Sequence, residues 1–108
     1  MNDDILKKLY AVLEQRKQAE GESSYVASLY ERGLDTILKK TGEESAEVII
    51  AAKGGEKDEI VHEVADLWFH CMVLLAQQEI HIDDVLAELD SRFGVSGHDE
   101  KARRTQHQ

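Results

Sequence analysis

Residues 57–78 read KDEIVHEVADLWFHCMVLLAQQ, and this stretch decides the fold. At about 100° per residue, Ile60, Val61, Val64, Leu67, Trp68, Phe69, Cys71, Met72, Leu74 and Leu75 cover too many directions for one buried face. The spacing therefore predicts a helix that is apolar around most of its circumference and has to be surrounded. Four or five short helices from 108 residues can hardly enclose it, so a second copy of the chain is expected to complete the core as a homodimer or larger homo-oligomer. Only one polar strip of any length runs along this cylinder: Glu59, Glu63, Asp66 and His70 fall within about 60° of one another. Acids on such a helix need a reason.

Upstream, Leu34 to about Lys53 carries Leu34, Ile37, Leu38, Thr41, Ser45, Val48, Ile49 and Ala52 on one face, and the Gly54-Gly55 pair closes it. Earlier still, Ile5, Leu6, Leu9, Val12 and Leu13 mark a first helix from Asp3 to about Glu20. The Ser23-Ser24 pair can cap a second, short helix through about Arg32, with Gly33 as a break. Downstream, Val85, Leu86, Leu89 and Phe93 share one side of a fifth helix that begins at Ile82 or Asp83. The expected architecture is all-α, a four- to five-helix bundle over residues 1–94, followed by a polar, mobile tail over residues 95–108.

Composition agrees. Aromatic content is 6%, proline is absent, and the 42% hydrophobic content suffices for one small core. Twenty-two acidic residues against 13 basic ones argue against nucleic acid as a partner, because phosphate backbones are held by clustered positive charge. An acidic protein that handles phosphates needs a cation between the two. The single cysteine, Cys71, excludes an internal disulfide and reads as a small core hydrophobe in a reducing compartment. The acidic start, Met1-Asn2-Asp3-Asp4, is unlike a signal peptide, and no apolar run approaches the ~20 residues of a membrane span. A cytoplasmic protein with no membrane partner is expected.

On the third helix Lys40, Glu44, Glu47 and Ala51 occupy one stripe about 60° wide, bordering the apolar face. If this stripe faces that of the fourth helix across an antiparallel pair, Glu44, Glu47, Glu63 and Asp66 converge on one small volume. Carboxylates so close must take up protons or share cations, and hard oxygen ligands select magnesium or manganese. The plainer alternative is a set of solvated helix faces with i,i+4 partners. Lys40 stands one turn before Glu44, where it can neutralise a phosphate oxygen or simply pair with that acid. His70 can orient a ligand carboxylate, contact substrate, or serve as a hydrogen-bonded core histidine. No glycine-rich phosphate loop follows a strand, and no Ser/His/Asp or Cys/His nucleophile arrangement is present.

Glu43-Glu44-Ser45-Ala46-Glu47, followed by Glu63-Val64-Ala65-Asp66, resembles the EExxE and ExxD signature of the all-α nucleoside-triphosphate pyrophosphohydrolases, which include the MazG-type and dimeric dUTPase-type enzymes. Three further stretches bring the chain closest to the phosphoribosyl-ATP pyrophosphatase family: Ser23-Ser24-Tyr25-Val26 leading to Leu29 and Gly33, Lys39 to Glu44, and Val48 to Lys53. The similarity spans about Leu6 to Phe93. Where that family often has Tyr-His, this chain has Phe69-His70. The resemblance implies a magnesium-dependent (manganese is also suitable) hydrolysis of phosphoribosyl-ATP to phosphoribosyl-AMP and pyrophosphate, the second step of histidine biosynthesis. It makes Glu44, Glu47, Glu63 and Asp66 the metal ligands, with Glu43 as a further ligand or general base. Lys40 would contact phosphate, and Ser24, Tyr25 and His70 would help to hold substrate. Two other readings keep the fold: a house-cleaning enzyme for dUTP or altered dNTPs, and a non-catalytic helical adaptor.

Overall fold

Gly33 and Gly55 adopt φ of 95° and 81°, backbone that a side chain would strain, and each closes a helix by donating its N–H to the carbonyl four residues back, Leu29 and Ala51. These stops, with Ser24 as a cap, set the element boundaries of the computed structural model, which describes residues 2–93. The described residues form α1 (Asn2–Gln15), α2 (Tyr25–Arg32), α3 (Leu34–Gly54), α4 (Lys57–Gln77) and α5 (Ile82–Phe93), with 3-10 turns at Arg16–Gln18 and Gly21–Ser23. No strand occurs among them, so the all-α expectation holds. The expected tail over residues 95–108 lies outside the described residues.

Two features differ from the reading of the periodicity. The first helix ends at Gln15 and not near Glu20, and Ala19 is already extended. Leu13 is its last fully buried side chain, and the Tyr30 hydroxyl donates to the Leu13 carbonyl at 3.0 Å, taking an acceptor from the helix's final turn. Burial, and then Glu14 nearby, pushes the Tyr30 phenol up to about 12, so it remains a donor across the physiological range. The second difference is on α3: its apolar face is not uniformly covered, since Ile37 is fully buried while Leu34, Leu38 and Ile49 are exposed.

Leu13, Leu29, Ile37 and Val73 lie at the centre of the core, with Tyr10, Val26, Met72, Ala76 and Ile82 around them. Each fully buried aliphatic side chain contributes roughly 1.5–3 kcal/mol, so α1, α2, the first half of α3 and the second half of α4 lock together. The Tyr10 hydroxyl donates to the Ile80 carbonyl at 2.8 Å and ties α1 to the α4–α5 connection. Cys71 belongs to this apolar environment, and burial pushes its thiol up, away from reactivity. Among the described residues no helix is long and apolar enough to cross a membrane.

The most extensive contact in the fold is between α3 and α4. They are 21 residues each and joined only through Gly55 and Glu56, so they run antiparallel. Their far halves extend past the shelter of the other helices, leaving Ile49 65% and Val61 58% exposed. The carboxylate stripes lie along this pair.

Candidate metal centre

Residues three and four apart share a helix face, which puts Lys40, Glu44 and Glu47 in line on α3 and Glu63, Asp66 and His70 in line on α4. The antiparallel pairing then brings the two lines together. Glu44, half-buried, shows the result: its carboxyl pKa is raised, first by burial, then by Asp66, Glu63 and Glu47, with His70 acting in the opposite direction. Thus the other three carboxylates anticipated as ligands all act on Glu44, with Asp66 and Glu63 doing so from across the helix pair. Glu63 and Asp66 are half-buried, while Glu47 is exposed at the wall of an open groove of about 370 Å³, with Asp58, Glu59, His62 and Glu63 also along it.

The donor chemistry suits a hard divalent cation. Four carboxylates from two rigid helices offer oxygen ligands, and their mutual repulsion is what a cation would offset. Part of the set is already gathered: ligand atoms of Glu63 and Asp66 lie within 4.8 Å of each other and of a third group, His62. His62 was not among the anticipated residues. Its Nε2 stands 4.0 Å from Asp66 Oδ2, and the signal for it was present in the sequence, because His62 precedes Asp66 by one helical turn.

The remaining candidates separate into two groups. Lys40 pairs with Glu43 and not with Glu44, at 3.5 Å, and Glu43 is exposed. Ser24 is the N-cap of α2, its hydroxyl oxygen accepting from the Ala27 N–H at 3.2 Å, as the capping expectation required. Tyr25, the first residue of α2, reaches α4: its hydroxyl is 2.9 Å from His70 Nε2 and its ring stacks on Phe69 at 6.5 Å between centroids. His70 is 3% exposed, and its Nδ1 donates to the Asp66 carbonyl at 2.8 Å.

The family described as phosphoribosyl-ATP pyrophosphohydrolase matches residues 6–93. A relative from Methylococcus capsulatus, named phosphoribosyl-ATP pyrophosphatase, is 62% identical over 94% of this chain and 96% of its own length. Proteins of the same name from Ruthia magnifica, 59% identical over 94% and 97%, and from Geobacter sulfurreducens, 58% identical over 96% of each, cover nearly the whole chain as well.

Proposed function

This chain belongs to the phosphoribosyl-ATP pyrophosphohydrolase family, and on that footing we propose that it hydrolyses phosphoribosyl-ATP to phosphoribosyl-AMP and pyrophosphate at the carboxylate cluster between α3 and α4. The observation that carries this reading is that Glu47, Glu63 and Asp66 all act on Glu44 at the seam of the two long helices. The reaction adds water across the anhydride bond between the first two phosphates, and pyrophosphate leaves. A polyanionic substrate is repelled by four carboxylates, so the residues serve by holding magnesium, with manganese a suitable substitute. When bound, such an ion withdraws charge from phosphate oxygens and lowers the pKa of a coordinated water.

Around that centre the protein's own groups have distinct tasks. Glu44, Glu47, Glu63 and Asp66 are the ligands, and Glu43 stands beside them as a further ligand or as the base that takes the proton of the attacking water. Lys40, held by Glu43 at 3.5 Å, supplies a positive charge that can transfer to a substrate phosphate. Tyr25 brings the first turn of α2, capped by Ser24, onto His70, and these three residues help to hold substrate. The catalytic unit is the helical domain of residues 1–94, and it acts in the cytoplasm in the second step of histidine biosynthesis.

The working form is a homodimer. Trp68, Leu75, Leu86 and Leu89 line an apolar groove of about 410 Å³, and a second copy laid against this side would enclose the nearly all-apolar α4.

Pyrophosphate release by purified protein tests the assignment. With magnesium, kcat/KM for phosphoribosyl-ATP is expected to exceed that for dUTP or any common dNTP by at least about 100-fold, and EDTA abolishes it. A reversed preference would reassign the chain to nucleotide house-cleaning. Full turnover by Glu47→Gln and Asp66→Asn would move the chemistry away from this cluster, and a wild type that turns over none of these nucleotides would leave only an adaptor role.

A further inference from the structure

His70 is the one buried polar side chain among the described residues, and both of its ring nitrogens are engaged. The Asp66 carbonyl oxygen, 2.8 Å from Nδ1, can only accept, so Nδ1 carries hydrogen. In the neutral imidazole Nε2 then holds a lone pair, and the Tyr25 hydroxyl at 2.9 Å donates to it. That hydrogen is spent on His70. What the Tyr25 oxygen still offers is acceptor capacity alone.

The ring that carries this oxygen is held on two sides. Phe69 stacks beneath it with 21° between the planes, and His70 meets it edge-on at 5.9 Å, yet Tyr25 remains 51% exposed. Anchoring α2 needs no phenol, because Val26, Ala27 and Leu29 are already buried. The hydroxyl is also linked to the cluster: through His70 it is tied to the main-chain carbonyl of Asp66, the residue whose side chain is one of the proposed ligands.

We propose that His70 is a positioning residue that fixes the Tyr25 hydroxyl beside the carboxylate cluster, so that its oxygen accepts a hydrogen bond from a donor on the nucleoside part of the substrate, a ribose hydroxyl or a base N–H. Phosphate oxygens are acceptors and cannot be its partner. The inference rests on the cluster being the phosphoribosyl-ATP site, and it narrows the task of Tyr25 from holding substrate to reading the nucleoside.

Two measurements test it. In steady-state kinetics with magnesium, Tyr25→Phe is expected to raise KM for phosphoribosyl-ATP and Ki for phosphoribosyl-AMP by about 5–10-fold, while Ki for pyrophosphate, which lacks such donors, stays within about twofold. His70→Asn, too short to reach Tyr25, gives the same pattern, and adding Tyr25→Phe to it changes nothing further. His70→Gln, whose side chain extends to the Nε2 position, recovers most of the loss. Multiplying effects of the two single variants, or an equal loss of pyrophosphate affinity, would overturn the proposal. The second measurement needs no substrate: side-chain 15N spectra of the wild-type protein should show His70 protonated at Nδ1, with the Nε2 resonance displaced by Tyr25→Phe. The opposite tautomer sinks the proposal even in an active enzyme. The expected spectra without phosphoribosyl-ATP hydrolysis would instead refute the substrate assignment and leave the His70–Tyr25 bond standing.

Discussion

Glu44 is the residue on which the cluster can be read most directly, because its carboxyl is raised first by burial and then by three neighbouring acids. A raised pKa means that the folded protein holds this proton more tightly than the unfolded chain does. Its stabilising contribution is therefore complete below the ordinary carboxyl range and is lost as pH climbs through the folded value. Without a divalent cation, Glu44→Gln should match the wild type near about pH 4 and melt higher at pH 7, where the native carboxylate is charged among like charges. Magnesium should raise the melting temperature of the wild type at pH 7 but scarcely that of the variant, whose turnover drops by about 100-fold or more. A cation-free Glu44→Gln protein that melts below the wild type at pH 7 would contradict the repulsion argument. At this scale the sequence was informative wherever a residue's placement follows from helical spacing, as for the four acids and the Ser24 cap. It could not reveal that Lys40 turns to Glu43, or that His70 is shared between Asp66 and Tyr25, since these depend on where α2 lands on α4.

The end of α4 shows how much of an element lies in its final turn. The Glu79 N–H donates to the Ala76 carbonyl at 3.0 Å and the Ile80 N–H to the Leu75 carbonyl at 2.8 Å, the paired closure of a Schellman motif. That closure requires a left-handed residue, and the chain places Glu79 there with φ of 59°. Relieving the Cβ strain by Glu79→Gly is expected to stabilise the protein by about 1 kcal/mol, or roughly 4–8 °C in melting temperature for a domain of this size. Gly55→Ala, at φ of 81° on the α3 cap, should shift it in the opposite direction by a similar amount. Thermal melts of the two variants decide the matter, and a lower melting temperature for Glu79→Gly would show that the Glu79 side chain stabilises the turn more than its backbone strains it. The end of α3 was legible because Gly54-Gly55 announces it. The end of α1 was not, since its polar residues continue to suit a helix and the Tyr30 hydroxyl that donates to the Leu13 carbonyl comes from a distant element.

For the whole molecule, the question is why so small a chain builds two 21-residue helices when its other elements shelter only part of them. The fully buried residues Ile37 and Val73 come from the ends of α3 and α4 that meet α1 and α2, whereas Ile49 and Val61 belong to the stretches that reach beyond. An antiparallel helix pair with apolar sides is half of a four-helix bundle, and its other half is most economically a second copy related by twofold symmetry. The apolar circumference of residues 57–78 forecast this incompleteness, but not which side stays open, because periodicity around a cylinder carries no information about its neighbours. The open side includes Trp68, continuous with Leu75 and Leu89 along one groove. Trp68→Glu places a charge at the centre of the contact we propose, and removing the indole forfeits roughly 2 kcal/mol or more per subunit. Sedimentation equilibrium at micromolar concentration should give a dimer for the wild type and a monomer for Trp68→Glu, and only the wild type should have a melting temperature that rises with protein concentration. A variant that remains dimeric with unchanged affinity would move the interface to the other exposed stripe, through Leu38 and Ile49 on α3, and a monomeric wild type would leave α4 open to water in the working enzyme.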